Sequence, residues 1–347
     1  MIKVSVNLFA QYQFLKKNAF SSNLDNLKLL FKQYGNFHNK IKVFNVVGTN
    51  GKGSVASFLG KQLENNFKKV GLFTSPSFLY HNERIAINSK YIDDQKLKFY
   101  LNKYENDFKK YHLNFFEIFT FIAALYFYQE KVNVAVIEAG IGGVKDVSAL
   151  FLNQKGVILT AIAKDHQNIL GKSYQSIIEN KILIRQDKKT PLFIAHSNQK
   201  FLAYFKKFSN FYLAKNKYLP PNLDLFQIDN VNLVMTVCRF FHFKIINSYF
   251  KKPLLLGRFM RLNFHNQEII FDGAHNKGAL KILVANLRLI TSFKKIIVLF
   301  ATSKSKRFYQ MKEYLKQFYK VYLTEFNHFK AYKVKNYEKI NYVQEKN

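Results

Sequence analysis

Ile41-Lys42-Val43-Phe44-Asn45-Val46-Val47-Gly48-Thr49-Asn50-Gly51-Lys52-Gly53-Ser54 is the stretch on which the reading of this chain turns. Its first half, Ile41 to Val47, is short, apolar and β-branched, which predicts a buried strand. A glycine-rich turn follows, and from about Ser54 to Asn66 the apolar spacing predicts a helix. Glycines at a strand-to-helix turn let backbone N–H groups face an anion, and the positive end of the helix adds to their field. In such a loop Lys52 reaches the β- and γ-phosphates of a nucleotide while Ser54 approaches Mg2+. The match to the general phosphate loop is imperfect, since Val46 replaces its first glycine and Gly53 separates Lys52 from Ser54. An ordinary glycine-rich turn competes with this reading, but the preceding strand and the following helix are what phosphate binding requires.

Outward from this unit, strands and helices alternate. Asn23 to Tyr34 carries apolar residues at helical spacing and stops at Gly35. Buried-strand candidates are Val132 to Ile137, Gly156 to Ile162, Pro191 to Ala195, Glu268 to Phe271, Lys295 to Phe300 and Lys320 to Leu323. The alternation predicts an α/β fold of parallel sheets with helices on both faces. A basic connection with Pro and Gly, Tyr249 to Gly257, suggests a boundary. The expected organisation is a nucleotide-binding domain over 1–250, a linker over 251–257 and a smaller α/β domain over 258–347. Its polar, basic tail from about Asn327 is expected to be only partly ordered.

Composition narrows the class. The chain has 347 residues, 48% hydrophobic and 22% charged, enough for one large core or two domain-sized ones. Cys238 is the single cysteine, which excludes an internal disulfide and suits a reducing cytoplasm. No run approaches the ~20 apolar residues of a membrane span, and the first residues lack a signal-peptide layout. The net charge of +32 invites a nucleic-acid partner. The lysines are nevertheless spread over the whole chain and accompany an excess of Phe, Ile, Asn and Tyr, which favours a solvated basic surface from compositional drift. Anionic small substrates would gain from the same field.

Three further residues carry chemistry in their own right. Glu138 ends the apolar run Val132 to Ile137, which sets a carboxylate at the carboxyl edge of a parallel sheet, and a hard oxygen ligand there suits Mg2+. His166 follows the run Gly156 to Ile162 at the same edge; a lone histidine is a structural residue more often than a metal ligand. Lys181 lies in a helix-like segment beside Ile178, Ile182 and Leu183. Desolvation lowers a lysine pKa, and a neutral amine can add CO2 to give a carbamate, although most helix lysines face solvent.

The heptad Gly48-Thr49-Asn50-Gly51-Lys52-Gly53-Ser54 resembles the signature of the folylpolyglutamate synthase and dihydrofolate synthase group within the Mur ligase superfamily. The resemblance continues through Gly71-Leu72-Phe73-Thr74-Ser75-Pro76, Asn82-Glu83-Arg84-Ile85, Phe115-Phe116-Glu117 and Glu138-Ala139-Gly140-Ile141-Gly142-Gly143. It goes on through Asp165-His166, Gly257-Arg258-Phe259 and Asp272-Gly273-Ala274-His275-Asn276, in order, from about residue 24 to 300.

The resemblance implies an ATP-dependent carboxylate–amine ligase that adds L-glutamate to the γ-carboxyl of tetrahydrofolate through an acyl phosphate. It implies that residues 48–54 hold ATP, that Ser75 and Glu138 hold the Mg2+ bridging the phosphates, and that His166 ligates a second metal. Lys181 would be the carbamylated lysine, Arg258 would meet the phosphate tail, and Asp272 and His275 would contact nucleotide and substrate. Lys52, His166, Lys181 and His275 are thus the expected catalytic set, in a monomer whose two domains close on ATP.

The pattern is also broken in places. After Gly143 the family's arginine is absent, Val144 standing there with Lys145 one position on; Ser77 replaces a histidine; and Ser303-Lys304-Ser305 replaces Asp-Lys-Asp. The second domain is expected to be pared down. Open alternatives are glutamate addition to dihydropteroate, both activities together, an inactive relative, a basic nucleic-acid-binding protein on the same fold, and another Mur-type ligase. The glycine between Lys52 and Ser54 speaks against the last.

Overall fold

The computed structural model describes Tyr12, Leu15 and residues 24–164, 170–218, 225–250, 255–292, 295–304, 306, 308–326 and 331–334. The chain divides into two compact units: Met1–Leu223 with Gln227–Leu256, and Asp224–Phe226 with Gly257–Asn347.

The first unit is built on an eight-stranded sheet. In chain order its strands are β1 (Val43–Val47), β2 (Val70–Phe73), β3 (Ile85–Ile87), β4 (Lys90–Tyr91), β5 (Val134–Glu138), β6 (Gln154–Leu159), β7 (Leu192–Ile194) and β8 (Phe211–Leu213). Their order across the sheet is β4-β3-β2-β5-β1-β6-β7-β8. All pairings are parallel except β2 with β3 and β3 with β4. Every residue of β1, β2 and β5 is buried, as strands covered on both faces must be. One face packs on Leu27, Phe31, Phe119, Phe121 and Phe127; the other packs on Val55, Phe58, Leu59, Val234 and Cys238.

Local chemistry starts the helices where the sheet needs them. The helix Phe115–Gln129 opens with a capping box: Asn114 Oδ1 accepts from the Phe116 and Glu117 amides, and Glu117 returns the bond to the Asn114 amide at 2.8 Å. Such a box secures the end of a helix whose other positions are almost all apolar and buried. Among the described residues no helix is long and apolar enough to cross a membrane.

The second unit is smaller. A hairpin of β9 (Met260–Phe264) and β10 (Gln267–Phe271) turns through His265 and Asn266, both at positive φ, as a two-residue hairpin turn demands. The strands β11 (Ile297–Phe300) and β12 (Lys320–Leu323) pair in parallel. Around Leu280, Val284, Phe300, Phe308, Met311 and Leu315 the helices Lys277–Ile290 and Phe308–Leu315 supply a compact core. Two expectations are corrected here. The segment Glu268 to Phe271 is a strand, but a mostly exposed one in an antiparallel hairpin: among the described residues it pairs with β9 alone, and only Ile270 packs on the core. In this unit, among the described residues, the expected parallel pattern holds for β11 and β12 only.

Candidate active site

The loop after β1 enters its helix through Gly51, which sits at φ +87° as the N-cap of Lys52–Leu63. A left-handed residue at that point suits glycine. The loop is pinned from two sides. The Thr49 and Asn50 amides both donate to the Ala161 carbonyl, at 3.0 and 3.1 Å, and the Thr49 hydroxyl donates to Ala163 O at 3.1 Å. Those two amides are therefore committed to the chain after β6. An incoming anion would meet the first turn of the helix at Gly53 and Ser54, whose amides no helix can satisfy internally. Lys52 curls back so that Nζ reaches Thr49 O at 3.3 Å.

Gly53 explains the departure from the general phosphate loop. A Cβ there would stand 3.3 Å from Glu138 Oε2 and 2.5 Å from a Leu255 methyl. The extra glycine lets the helix start lie directly against the carboxylate that ends β5.

Glu138 is 3% exposed, and its Oε2 accepts the Ser75 amide at 3.0 Å. Ser75 follows β2 and precedes Pro76 through a cis peptide bond. Sheet order accounts for the meeting, since β5 lies between β2 and β1 and all three run parallel. Their carboxyl ends thus bring Ser75, Glu138 and the loop 48–54 to one edge.

The glycine-rich segment after Glu138 is organised by Asp146. Its Oδ2 accepts the Ile141 and Gly142 amides at 2.7 and 2.8 Å, and its Oδ1 accepts the Ser148 amide at 3.0 Å. Val144 and Lys145, where the family pattern is broken, are exposed. Lys181, only 2% exposed, donates from Nζ to Gly48 O and Ile141 O, both at 2.7 Å. It ties the phosphate loop to the segment after β5. Two carbonyl acceptors suit a protonated amine, whereas a carbamate in the same position would set its own oxygens against theirs.

Between β2 and β3, Glu83 knots the loop. Its carboxylate accepts the amides of Phe78, Leu79 and Tyr80 at 2.7, 2.9 and 2.8 Å. Next to it, the guanidinium of Arg84 lies over the ring of Phe115 at 5.0 Å.

The second unit has its own polar group. Asp272, just after β10, accepts the Phe259 amide through Oδ2 at 2.9 Å and the Ala274 amide through Oδ1 at 2.8 Å. Crowding by the surrounding chain pushes its carboxyl up, against these two amides and the charge of Arg258. A Cβ on Gly273 would meet Arg258 Nη1 at 2.4 Å, so the guanidinium lies across that glycine. His275 is exposed, with Nδ1 2.8 Å from Gly273 O.

Of the residues expected from sequence, 48–54, Ser75, Glu138 and Lys181 thus gather in the first unit, and Arg258, Asp272 and His275 in the second. His166 lies outside the described residues, as do Asp165, Ser305 and most of the tail from Asn327. Two residues went unforeseen. Gln227 and Asn230, on the helix Leu225–Phe240, are 1% and 7% exposed. Gln227 Nε2 donates to Ser54 Oγ at 3.3 Å, Asn230 Nδ2 donates to Gln227 Oε1 at 2.8 Å, and a Cβ on Gly51 would meet Asn230 Oδ1 at 2.4 Å. Polar side chains three apart on an otherwise apolar helix face were the available signal.

Residues 46–264 match the Mur ligase middle domain. The chain is similar to a dihydrofolate synthase/folylpolyglutamate synthase of Buchnera aphidicola, 28% identical over 331 residues, 88% of this chain and 78% of that protein. It is 36% identical to the namesake from Bacillus subtilis over 165 residues, 46% of this chain and 38% of that protein. In three dimensions it resembles Mycobacterium tuberculosis folylpolyglutamate synthase complexed with ADP, at a TM-score of 0.81 and 20% identity, over 94% of this chain and 84% of that one.

Proposed function

The chain belongs to the Mur ligase middle domain family, and on that premise we propose that it is an ATP-dependent ligase joining L-glutamate to the γ-carboxyl of a folate. The observation that carries the reading is the meeting of Glu138 and the Ser75 amide with Gly53 at the mouth of the phosphate loop. A carboxylate oxygen of the substrate attacks the γ-phosphorus of ATP, the bond to the bridging oxygen breaks and ADP leaves. The glutamate ammonium first gives one proton to solvent; the free amine then attacks the acyl carbon, the bond from carbon to the phosphate oxygen breaks, and the second proton lost by the nitrogen leaves on the departing phosphate. Such chemistry rests on positioning and charge neutralisation, so no protein nucleophile is required.

Lys52 and the first-turn amides hold the phosphates, and Lys181 and Asp146 keep the loop edges rigid. Hard oxygens from Glu138 and Ser75 fit Mg2+, which keeps most of its remaining positions for water and phosphate. When bound, the ion would neutralise charge on the transferring phosphoryl group. His166 is assigned to a second metal by resemblance alone. Carbamylation of Lys181 would require its amine to leave the carbonyls of Gly48 and Ile141, and intact mass with and without bicarbonate tests for it. Arg258, Asp272 and His275 are assigned to nucleotide and substrate binding. Glutamate addition to dihydropteroate is the second reading, favoured by the double name of the Buchnera relative.

The test is purified protein with ATP, Mg2+, glutamate and either folate or dihydropteroate. ADP release and a product one glutamate heavier are expected with at least one acceptor. Release no higher than that of Lys52→Ala with both acceptors would sink the proposal.

A further inference from the structure

Arg84 is a half-buried cation that forms no ion pair among the described residues, although it lies in the field of Glu138. Glu83, the adjacent acid, gives its carboxylate to the amides of Phe78, Leu79 and Tyr80. The Arg84 carbonyl holds the Thr74 amide at 2.9 Å, which fixes the backbone immediately before Ser75. Its guanidinium lies to one side of the packed rings of Phe115 and Phe119, at 5.0 and 5.9 Å from their centroids. Nε is buried and has no hydrogen-bond partner among the described residues.

A guanidinium carries N–H donors in a planar fork and has no use as an acceptor, so an unmatched one at a site edge calls for a planar anion. Burial pulls the group down to about 10, and the charges of Glu138 and then Glu83 work against that pull. The cation therefore persists at neutral pH. It also sits within the field of the carboxylate that adjoins the phosphate loop.

We propose that Arg84 grips the substrate carboxylate that accepts the phosphoryl group. The assignment deepens the ligase reading above and rests on it. A carboxylate must approach the terminal phosphate beside Glu138, where three anionic groups would otherwise repel one another. Arg84 offsets that repulsion and orients the attacking oxygen. The rings of Phe115 and Phe119 shield one side of the pair from water, which strengthens it. The incoming glutamate also offers carboxylates, but the influence of Glu138 on Arg84 favours the reacting acid over the nucleophile.

The test compares folate with its γ-amide, which keeps the shape and loses the charge, on wild-type protein, Arg84→Met and Arg84→Lys in the presence of ADP. Wild type is expected to bind folate ~10- to 100-fold more tightly than the amide, from one charge-assisted pair. Arg84→Met should abolish that difference by weakening folate alone, Arg84→Lys should restore part of it, and the KM for ATP should hold. The assignment is overturned if wild type does not discriminate, if Arg84→Met weakens both ligands equally, or if the loss appears in the KM for glutamate instead. The wild-type arm needs no substitution, so a variant that fails to fold leaves the test standing. If wild type neither binds folate nor ligates glutamate to it, the ligase reading itself fails and the assignment goes with it.

Discussion

Two strands of this protein end alike and differ in everything else. Residues 134–138 of β5 run into Ala139-Gly140, and residues 267–271 of β10 run into Asp272-Gly273; each places a carboxylate within two residues of a glycine at a strand's carboxyl end. Around Glu138 the sheet is wide, with β5 between β2 and β1 and every residue of the strand buried. Asp272 follows a strand paired on one side only and exposed along most of its length. Both acids accept backbone amides, Glu138 from Ser75 and Asp272 from Phe259 and Ala274. Glu138 takes its amide from a residue 63 positions away, so its place reports on tertiary structure, whereas Ala274 is only two positions from Asp272. Local sequence writes a strand-end acid; the sheet around it decides how much its charge is worth.

Substitutions sharpen that contrast. The largest effect is expected from Lys52→Ala, which should lower kcat/KM by about 10³-fold in an ADP-release assay, since it removes the charge proposed to hold the transferring phosphate. Glu138→Gln keeps the volume and the acceptor for the Ser75 amide. It should cost roughly 10²-fold with an unchanged melting temperature, while Asp272→Asn should cost about tenfold or less. Equal losses at the two positions would erase the distinction between them.

Gly53→Ala presses a methyl toward Glu138 Oε2 and Leu255. Chemical denaturation should record a loss of about 1–3 kcal/mol together with weaker ATP binding. If the variant binds ATP normally, the close approach of helix and carboxylate is not needed.

Acid should act on the first unit through His38, which is 5% exposed and stacked on Phe31 at 3.8 Å. Burial lowers its pKa from 6.5 to about 4. Its folded value is depressed, so its contribution is full above pH 6.5 and is lost as pH falls from there through about 4. The loss amounts to roughly 3 kcal/mol at most. The denaturation midpoint of wild type should fall relative to that of His38→Phe as pH is lowered across that range. The smallest effect belongs to Val144→Arg, which restores the family's residue on an exposed site and should move stability by less than ~0.5 kcal/mol. A large gain in activity there would mean that the exposed segment takes part in catalysis.

Much of the central sheet was legible. The strand read at Ile41 to Val47 occupies Val43–Val47, and that read at Val132 to Ile137 occupies Val134–Glu138. Continuous apolar runs bounded by polar residues and glycines carry their own signal. Not legible were β3, β4 and β8, of two or three residues each, whose extended state comes from the partners they add to. The four-residue β2 was visible only as part of a signature.

At the site, chemistry-bearing residues could be named wherever they sat on a glycine-rich turn or a strand end. Gln227 could not, because the hydroxyl it meets is 173 positions away. The true partners of Lys181 were equally hidden, since backbone carbonyls leave no mark in a side-chain pattern.

By itself the sequence determined the alternation of strands and helices, the phosphate loop and the identity of the strand-end acids. These follow from periodicity and from the conformations that glycine alone tolerates, both of which are local. Only the tertiary structure decided that Glu138 lies against Gly53, that Lys181 is spent on two carbonyls and that Arg84 Nε is left without a hydrogen-bond partner among the described residues. Those outcomes depend on strand order and on which polar groups burial leaves unsatisfied, and both are properties of chain segments brought together from far apart.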